Sequence, residues 1–173
     1  MKRRPLRLLA IDLTAKGFGF ALLDARLGLL DWGFSSIPAT DDALFVARIS
    51  ARIDRGRPTA LVLENFAPIR GREAAVRRQG LAITLAEARK IGLCQVSRRI
   101  VQGILGPGTK AQIVQRLAER FPELRHRMPR ERAKWSTEDE RMHIFDALAL
   151  TVSVVPDALD REYRKAEVAE STR

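Results

Sequence analysis

Four side chains have the types and positions to share a metal ion. Asp12 follows an apolar run over residues 6–11, and Glu64 ends the apolar stretch over residues 59–64. His143 and Asp146 stand three apart in His143-Ile-Phe-Asp146, so on a helix they share one face. A carboxylate at the end of a buried strand is unfavourable unless it is paired, hydrogen-bonded or bound to a metal. One such acid is ordinarily a loop cap; two, joined by a helical His and Asp, define a candidate catalytic site. Carboxylates and an imidazole without thiolates suit hard divalent cations, magnesium first and manganese second. Two such ions about 4 Å apart can activate water and stabilise the leaving oxygen in phosphodiester hydrolysis. In that arrangement Asp12 bridges, Glu64 holds one ion, and His143 with Asp146 completes the set, or His143 orients the attacking water. Asp139, four residues before His143, falls on the same side and is held in reserve.

These residues need a scaffold to bring them together. The apolar run over 6–11, the turn residues from Thr14 to Gly19 and a second apolar run over 18–23 read as a β-hairpin. Residues 29–37, before Pro38, add a third strand. Thr40 or Asp41 caps a helix to about Asp54, with Leu44, Ile49 and Ile53 on its apolar side. Pro58 ends it, and residues 59–64 are continuously apolar, as buried parallel strands are. A loop over 65–72 leads to a helix from about Glu73 to Ile91, then a fifth strand over 93–96. Residues 103–108 read as a break, residues 109–121 as a helix, and residues 122–134 as a basic, irregular stretch. A last helix over about 137–155 opens on the capping-box pattern Thr137-Glu-Asp-Glu140. On it, Phe145, Leu148 and Val152 form a packing stripe roughly opposite His143 and Asp146.

The order βββαβαβαα predicts an α/β fold. It has one mixed five-stranded sheet, an antiparallel three-strand meander plus parallel strands, flanked by helices. A length of 173 residues suits one domain, placed at 1–155, with a polar C-terminal tail over 156–173. No apolar run approaches the roughly 20 residues that span a membrane. The Met1-Lys-Arg-Arg4 start is followed by too short an apolar core for a signal peptide, so a cytoplasmic protein is expected. Cys94, the single cysteine, can form neither an internal disulfide nor a thiolate zinc site, and is expected in the core. Lys and Arg number 31 against 21 Asp and Glu, a formal charge of +10, which predicts a polyanionic partner such as nucleic acid. Aromatic residues make up only 6%, which argues against a single-strand stacking platform. Gly103 and Gly108 have the spacing of a phosphate loop, but Thr109 stands where that motif needs Lys, so nucleotide hydrolysis is excluded.

On these motifs the chain resembles the RuvC-type Holliday junction resolvases of the ribonuclease-H-like nuclease superfamily. Leu8-Leu-Ala-Ile-Asp12 with Gly17-Phe-Gly-Phe-Ala21 matches that family's first strand and glycine-containing hairpin. Ala60-Leu-Val-Leu-Glu64 matches the strand of its second acid, and His143-Ile-Phe-Asp-Ala-Leu-Ala149 its last helix. The segment with Gly106-Pro-Gly-Thr-Lys110 resembles the one that carries a DNA-contacting lysine. The resemblance implies a ribonuclease-H-like fold and a magnesium-dependent endonuclease. It further implies a homodimer that resolves four-way DNA junctions by paired nicks; whether a branch-migration motor is a further partner is left open. The chain departs from the family at Leu13-Thr14, where Pro-Gly is usual, and at Phe66, which follows the second acid sooner than the family's aromatic. The basic segment from Arg125 to Lys134 is an added length before the last helix.

Lys110 lies near a helix start, where the macrodipole disfavours a cation unless an anion is present. Arg70, Arg72, Arg77 and Arg78 follow Glu64 and are candidates for DNA phosphate contacts. Two alternatives remain open: a nuclease of the same fold acting on other branched or RNA-containing substrates, and a nucleic-acid-binding protein without catalysis. Convergence of the acids in space separates hydrolysis from binding alone.

Overall fold

The hairpin forms as expected from its turn chemistry. In the computed structural model, which describes residues 5–66, 68, 70–129 and 139–155, β1 (Arg7–Thr14) and β2 (Gly17–Asp24) pair antiparallel. The Thr14 hydroxyl accepts from the Lys16 amide at 3.0 Å and donates to the Gly17 carbonyl at 3.2 Å, closing the turn. Gly17 has φ +146°, and a Cβ there would stand 2.0 Å from the Ser35 carbonyl oxygen, so only glycine fits. β3 (Leu29–Ser36) extends the meander, and β4 (Ala60–Glu64) and β5 (Gly92–Val96) join parallel. The sheet order is β3-β2-β1-β4-β5. This is a mixed five-stranded sheet flanked by helices, a ribonuclease-H-like fold.

Alternation along the strands divides the core in two. Leu9, Ile11 and Leu13 of β1 and Leu61 and Leu63 of β4 face α1 (Asp42–Gly56) and α2 (Glu73–Ala88). Leu8 and Ala10 of β1 and Val62 of β4 face the opposite side. There they meet α4 (Lys110–Arg120) and α5 (Glu140–Ser153), the latter packed across β1 and β2. Asp41 caps α1 by accepting from the Leu44 amide at 2.9 Å. Thr109 and Gln112 form a capping box on α4.

Several details differ from the sequence-based expectation. Part of the stretch read as a break forms α3 (Arg98–Leu105), capped by Ser97, with no buried residue of its own. Part of the stretch read as irregular is a 3₁₀ turn, Pro122–Arg127, anchored by Leu124, which is fully buried. The last helix begins at Glu140 with Asp139 as its cap, so Glu140 is the first helical residue and cannot be the third residue of a box begun at Thr137. Its buried surface is also wider than the predicted stripe, because sheet, α3 and α4 enclose it from Ile144 to Ser153. Cys94, expected in the core, is only half-buried, at the middle of the edge strand β5 opposite Val62. Thr137, Trp135, the end of the basic segment and the tail 156–173 lie outside the described residues. Among the described residues, no helix is long and apolar enough to cross a membrane.

Candidate metal centre

The two strand acids lie on neighbouring parallel strands, one step beyond the Ile11–Leu63 pair. Asp12 continues the Leu8, Ala10 alternation and Glu64 continues Ala60, Val62, so both belong to the sheet face covered by α5. α5 comes close enough because Gly19, the β2 partner of Asp12, has no side chain. A Cβ at Gly19 would stand 2.1 Å from the His143 carbonyl oxygen. His143 in the first turn of α5 therefore sits directly over Asp12. Its Nδ1 donates to the Asp12 carboxylate at 2.7 Å, and its ring stacks on Phe34 of β3, with centroids 5.6 Å apart.

Asp146, one turn further along α5, completes a cluster: Asp12, His143 and Asp146 each offer a ligand atom within 4.8 Å of the others. Asp12 is only 6% exposed, and burial pushes its carboxyl above the ordinary range. The His143 hydrogen bond and charge oppose that shift, while the charges of Asp146 and Glu64 add to it. A buried carboxylate crowded by two other acids is a site for positive charge. Its donor set of carboxylate oxygens and imidazole nitrogen fits a hard divalent cation.

Glu64 stands apart from this group. Its carboxylate pairs with Arg98, Nε to Oε1 at 3.4 Å, although its charge is felt at Asp12. Asp139 is occupied as the α5 cap, accepting from the Arg141 amide at 3.0 Å and pairing with the Arg141 side chain. Lys110, at the first position of α4, reaches Asp146 at 3.4 Å, so the anion expected near that helix start is one of the site's own acids.

Asp12, His143 and Asp146 line a cleft of about 450 Å³, rimmed by Lys16, Arg72, Arg98 and Lys110. Among the four arginines singled out from the sequence, only Arg72 lines this cleft, where its guanidinium covers the Phe66 ring at 4.6 Å. Arg70 is exposed outside it. Arg77 is bound to the Asp42 carboxylate and to the Ala39 carbonyl. Arg78 corrects the expectation of a DNA contact, because its side chain is wholly buried beneath α2. Lys16, Arg98 and Phe34 were missed by sequence reasoning. Arg98 stands two residues past the fifth strand, a position that could have drawn notice; Phe34 carries no local signal. A larger cleft at the other end of the sheet is lined by Arg7 and Arg89, both engaged locally, with the Gly56 carbonyl and with Asp54.

The fold is ribonuclease-H-like, of the kind seen in RuvC-type resolvases, with an acid cluster at its strand ends. A scan against protein-family models finds no match, and a search of the curated proteins finds none. Solved structures do match. Thermus thermophilus RuvC aligns over 88% of this chain and 95% of its own, at 18% identity and TM-score 0.66. The yeast mitochondrial Holliday junction resolvase Ydc2 aligns over 92% of this chain and 82% of its own, at 14% identity and TM-score 0.63. The fowlpox virus Holliday junction resolvase aligns over 88% and 99%, at 12% identity and TM-score 0.56. At these identities the likeness is one of fold.

Proposed function

We propose that this chain is a metal-dependent, structure-specific endonuclease that hydrolyses phosphodiester bonds in branched DNA, with the four-way junction as its substrate. The observation that carries the reading is the Asp12, His143 and Asp146 cluster, set on a fold shared with Holliday junction resolvases. Two of the similar structures are described as complexes with Holliday junction DNA, from T. thermophilus and fowlpox virus. Paired nicks across a junction call for two active sites, so the working form would be a homodimer, and a branch-migration motor would be a further partner.

Asp12, His143 and Asp146 would hold magnesium or manganese, and Glu64 would join them once its carboxylate exchanges Arg98 for the ion. The bound cation would supply the positive charge that activates water and stabilises the leaving oxygen. The protein's own groups do the rest. With the Nδ1 proton donated to Asp12, a neutral His143 ring keeps its lone pair on Nε2, as an acceptor for an ion or a proton. Phe34 and Gly19 fix that ring in place. Lys16, Arg72, Arg98 and Lys110 on the rim would take backbone phosphates, positioning the strand without reading its sequence. The added electrostatic attraction follows from the +10 charge of the chain.

Incubation of the purified protein with a labelled four-way junction, flaps, forks and RNA-containing duplexes in magnesium tests the reading. Selective cutting of the junction is expected. Intact junction at high enzyme concentration would remove the nuclease assignment, and equal cutting of all substrates would remove the junction preference.

A further inference from the structure

α2 packs on the sheet face away from α5, yet two adjacent residues of it reach the strand ends that carry Asp12 and Glu64. Arg78 is a guanidinium with 0% exposure. Its Nη1 donates to the carbonyls of Thr14 at 3.1 Å and Ala15 at 3.3 Å, and its Nη2 donates to the Pro38 carbonyl at 2.5 Å. Among the described residues its Nε has no hydrogen-bond partner, with Asp42 Oδ1 3.7 Å away, and its guanidinium carbon lies 5.3 Å from the centre of the Phe45 ring. The next residue, Gln79, donates from Nε2 to the Glu64 carbonyl at 2.9 Å.

A buried charge is a poor way to stabilise a helix packed on a sheet. An apolar side chain of similar volume commonly serves as well or better. What only a guanidinium supplies is a rigid fork of donors able to reach several carbonyls at once. The three carbonyls belong to two separate connections, the β1–β2 turn and the link from β3 to α1. The Lys16 carbonyl of the same turn accepts from the Ile37 amide at 2.8 Å, so the two connections are also tied to each other. The first carbonyl bound, that of Thr14, lies two residues past Asp12, and the turn it begins carries Lys16 on the cleft rim.

We propose that Arg78 is a positioning residue for the acid cluster. By fastening the β1–β2 turn to α2 and to the β3–α1 link, it fixes the Asp12 carboxylate against His143 and holds Lys16 at the mouth of the cleft. Gln79 does the same, with one bond, for the end of β4 that carries Glu64. This deepens the nuclease reading and rests on it, by naming the parts that set the spacing of the acids.

The test compares wild type with Arg78→Met, which keeps most of the volume without charge or donors, and Arg78→Lys, which keeps the charge but not the fork. Ile53→Val, in the core at the far end of the sheet, is the control for lost stability. Three quantities are measured below the melting temperature of every variant: free Mn²⁺ by electron paramagnetic resonance, amide exchange over residues 13–17, and kcat and KM on a four-way junction. Arg78→Met is expected to bind Mn²⁺ about tenfold more weakly, in the range seen when supports of metal ligands are lost. Its turn amides should exchange about tenfold faster, and kcat should fall by about a hundredfold at nearly constant KM, as for a misplacement near 1 Å. Arg78→Lys should fall between, and Ile53→Val should match wild type in Mn²⁺ affinity and kcat. If Arg78→Met does not fold, Arg78→Lys carries the comparison, with about threefold weaker Mn²⁺ binding expected on the same grounds. Mn²⁺ affinity in the folded Arg78 variants no lower than in Ile53→Val overturns the proposal. A wild type that binds Mn²⁺ but cuts no junction overturns the nuclease reading alone, and the Mn²⁺ affinities still decide the role of Arg78. A wild type that binds no Mn²⁺ overturns both.

Discussion

Replacing Asp12 by Asn should raise the stability of the metal-free protein while removing its activity. Asp12 is 6% exposed, and its carboxyl and that of Asp146 offer oxygens within 4.8 Å of each other. Two unit negative charges at that separation repel by about 1 kcal/mol at the dielectric of water and by about 3 kcal/mol at an effective dielectric of about 20. The His143 hydrogen bond and charge offset part of this, and an Asn carbonyl can still accept from Nδ1, so a net gain near the lower figure is expected. For a domain of this size, about 1 kcal/mol corresponds to about 2–4 °C in melting temperature. The sign follows from the direction of the Asp12 shift. Its pKa in the folded state lies above the unfolded value, so its contribution to stability is fully present below the unfolded pKa and is lost as pH rises through the folded one. The advantage of Asp12→Asn should therefore appear near neutral pH and vanish in acid. Saturating Mg²⁺ or Mn²⁺ should stabilise wild type by mass action and reverse the order, since the variant lacks a ligand charge. Calorimetry at neutral and acid pH, with and without the ion, reads all of these. A variant that melts below wild type at neutral pH without metal would refute the electrostatic reasoning. One that cuts a junction at the wild-type rate would refute the assignment of Asp12.

Gly19→Ala forces a Cβ to within 2.1 Å of the His143 carbonyl, so α5 must lift from the sheet. Overpacking of this kind destabilises by about 1–3 kcal/mol, visible in urea unfolding, and junction cutting should fall steeply; unchanged cutting would show that the contact does not set the site. Phe34→Ala removes the ring stacked on His143 and should lower stability by at least the roughly 0.5–1.5 kcal/mol of an aromatic pair, with kcat falling more than KM. A KM effect alone would make Phe34 a substrate contact and not a support of His143. Lys110→Ala should weaken junction binding at low salt and reduce the slope of log K against log salt by about 1, measured by anisotropy; an unchanged slope would exclude a phosphate contact by Lys110.

Most of the elements were legible wherever hydrophobic period and punctuation agreed. The hairpin followed from apolar runs flanking Thr14 and Gly17, and α1 from Asp41 before its apolar side chains. β4 followed from a continuous apolar run bounded by Pro58 and the acid. α3 was passed over because its eight residues include Gly103 and none is buried, although Ser97 before it is a readable cap and Val101 and Leu105 form an apolar side that packs against the core. The start of α5 was displaced for a related reason. Thr137-Glu-Asp-Glu140 and Asp139 alone are competing cap patterns in the same few residues, and it is Asp139 that caps the helix.

The site was legible in its charges and illegible in their supports. Asp12 and Glu64 drew notice because a carboxylate ending an apolar run is conspicuous in one dimension. His143 and Asp146 did so because their spacing fixes a common face. The role of Arg78 has no such signature. Arg77 and Arg78 are identical neighbours on one amphipathic helix, yet the turn of about 100° between them sends one to Asp42 at the surface and the other beneath the β1–β2 turn. The +10 charge made Arg70, Arg72, Arg77 and Arg78 all look like phosphate contacts, and burial sets Arg78 apart from the other three. The same argument applies to Glu64. Its position at a strand end is readable, but whether its carboxylate faces an ion or Arg98 depends on α3, a helix the sequence reading passed over.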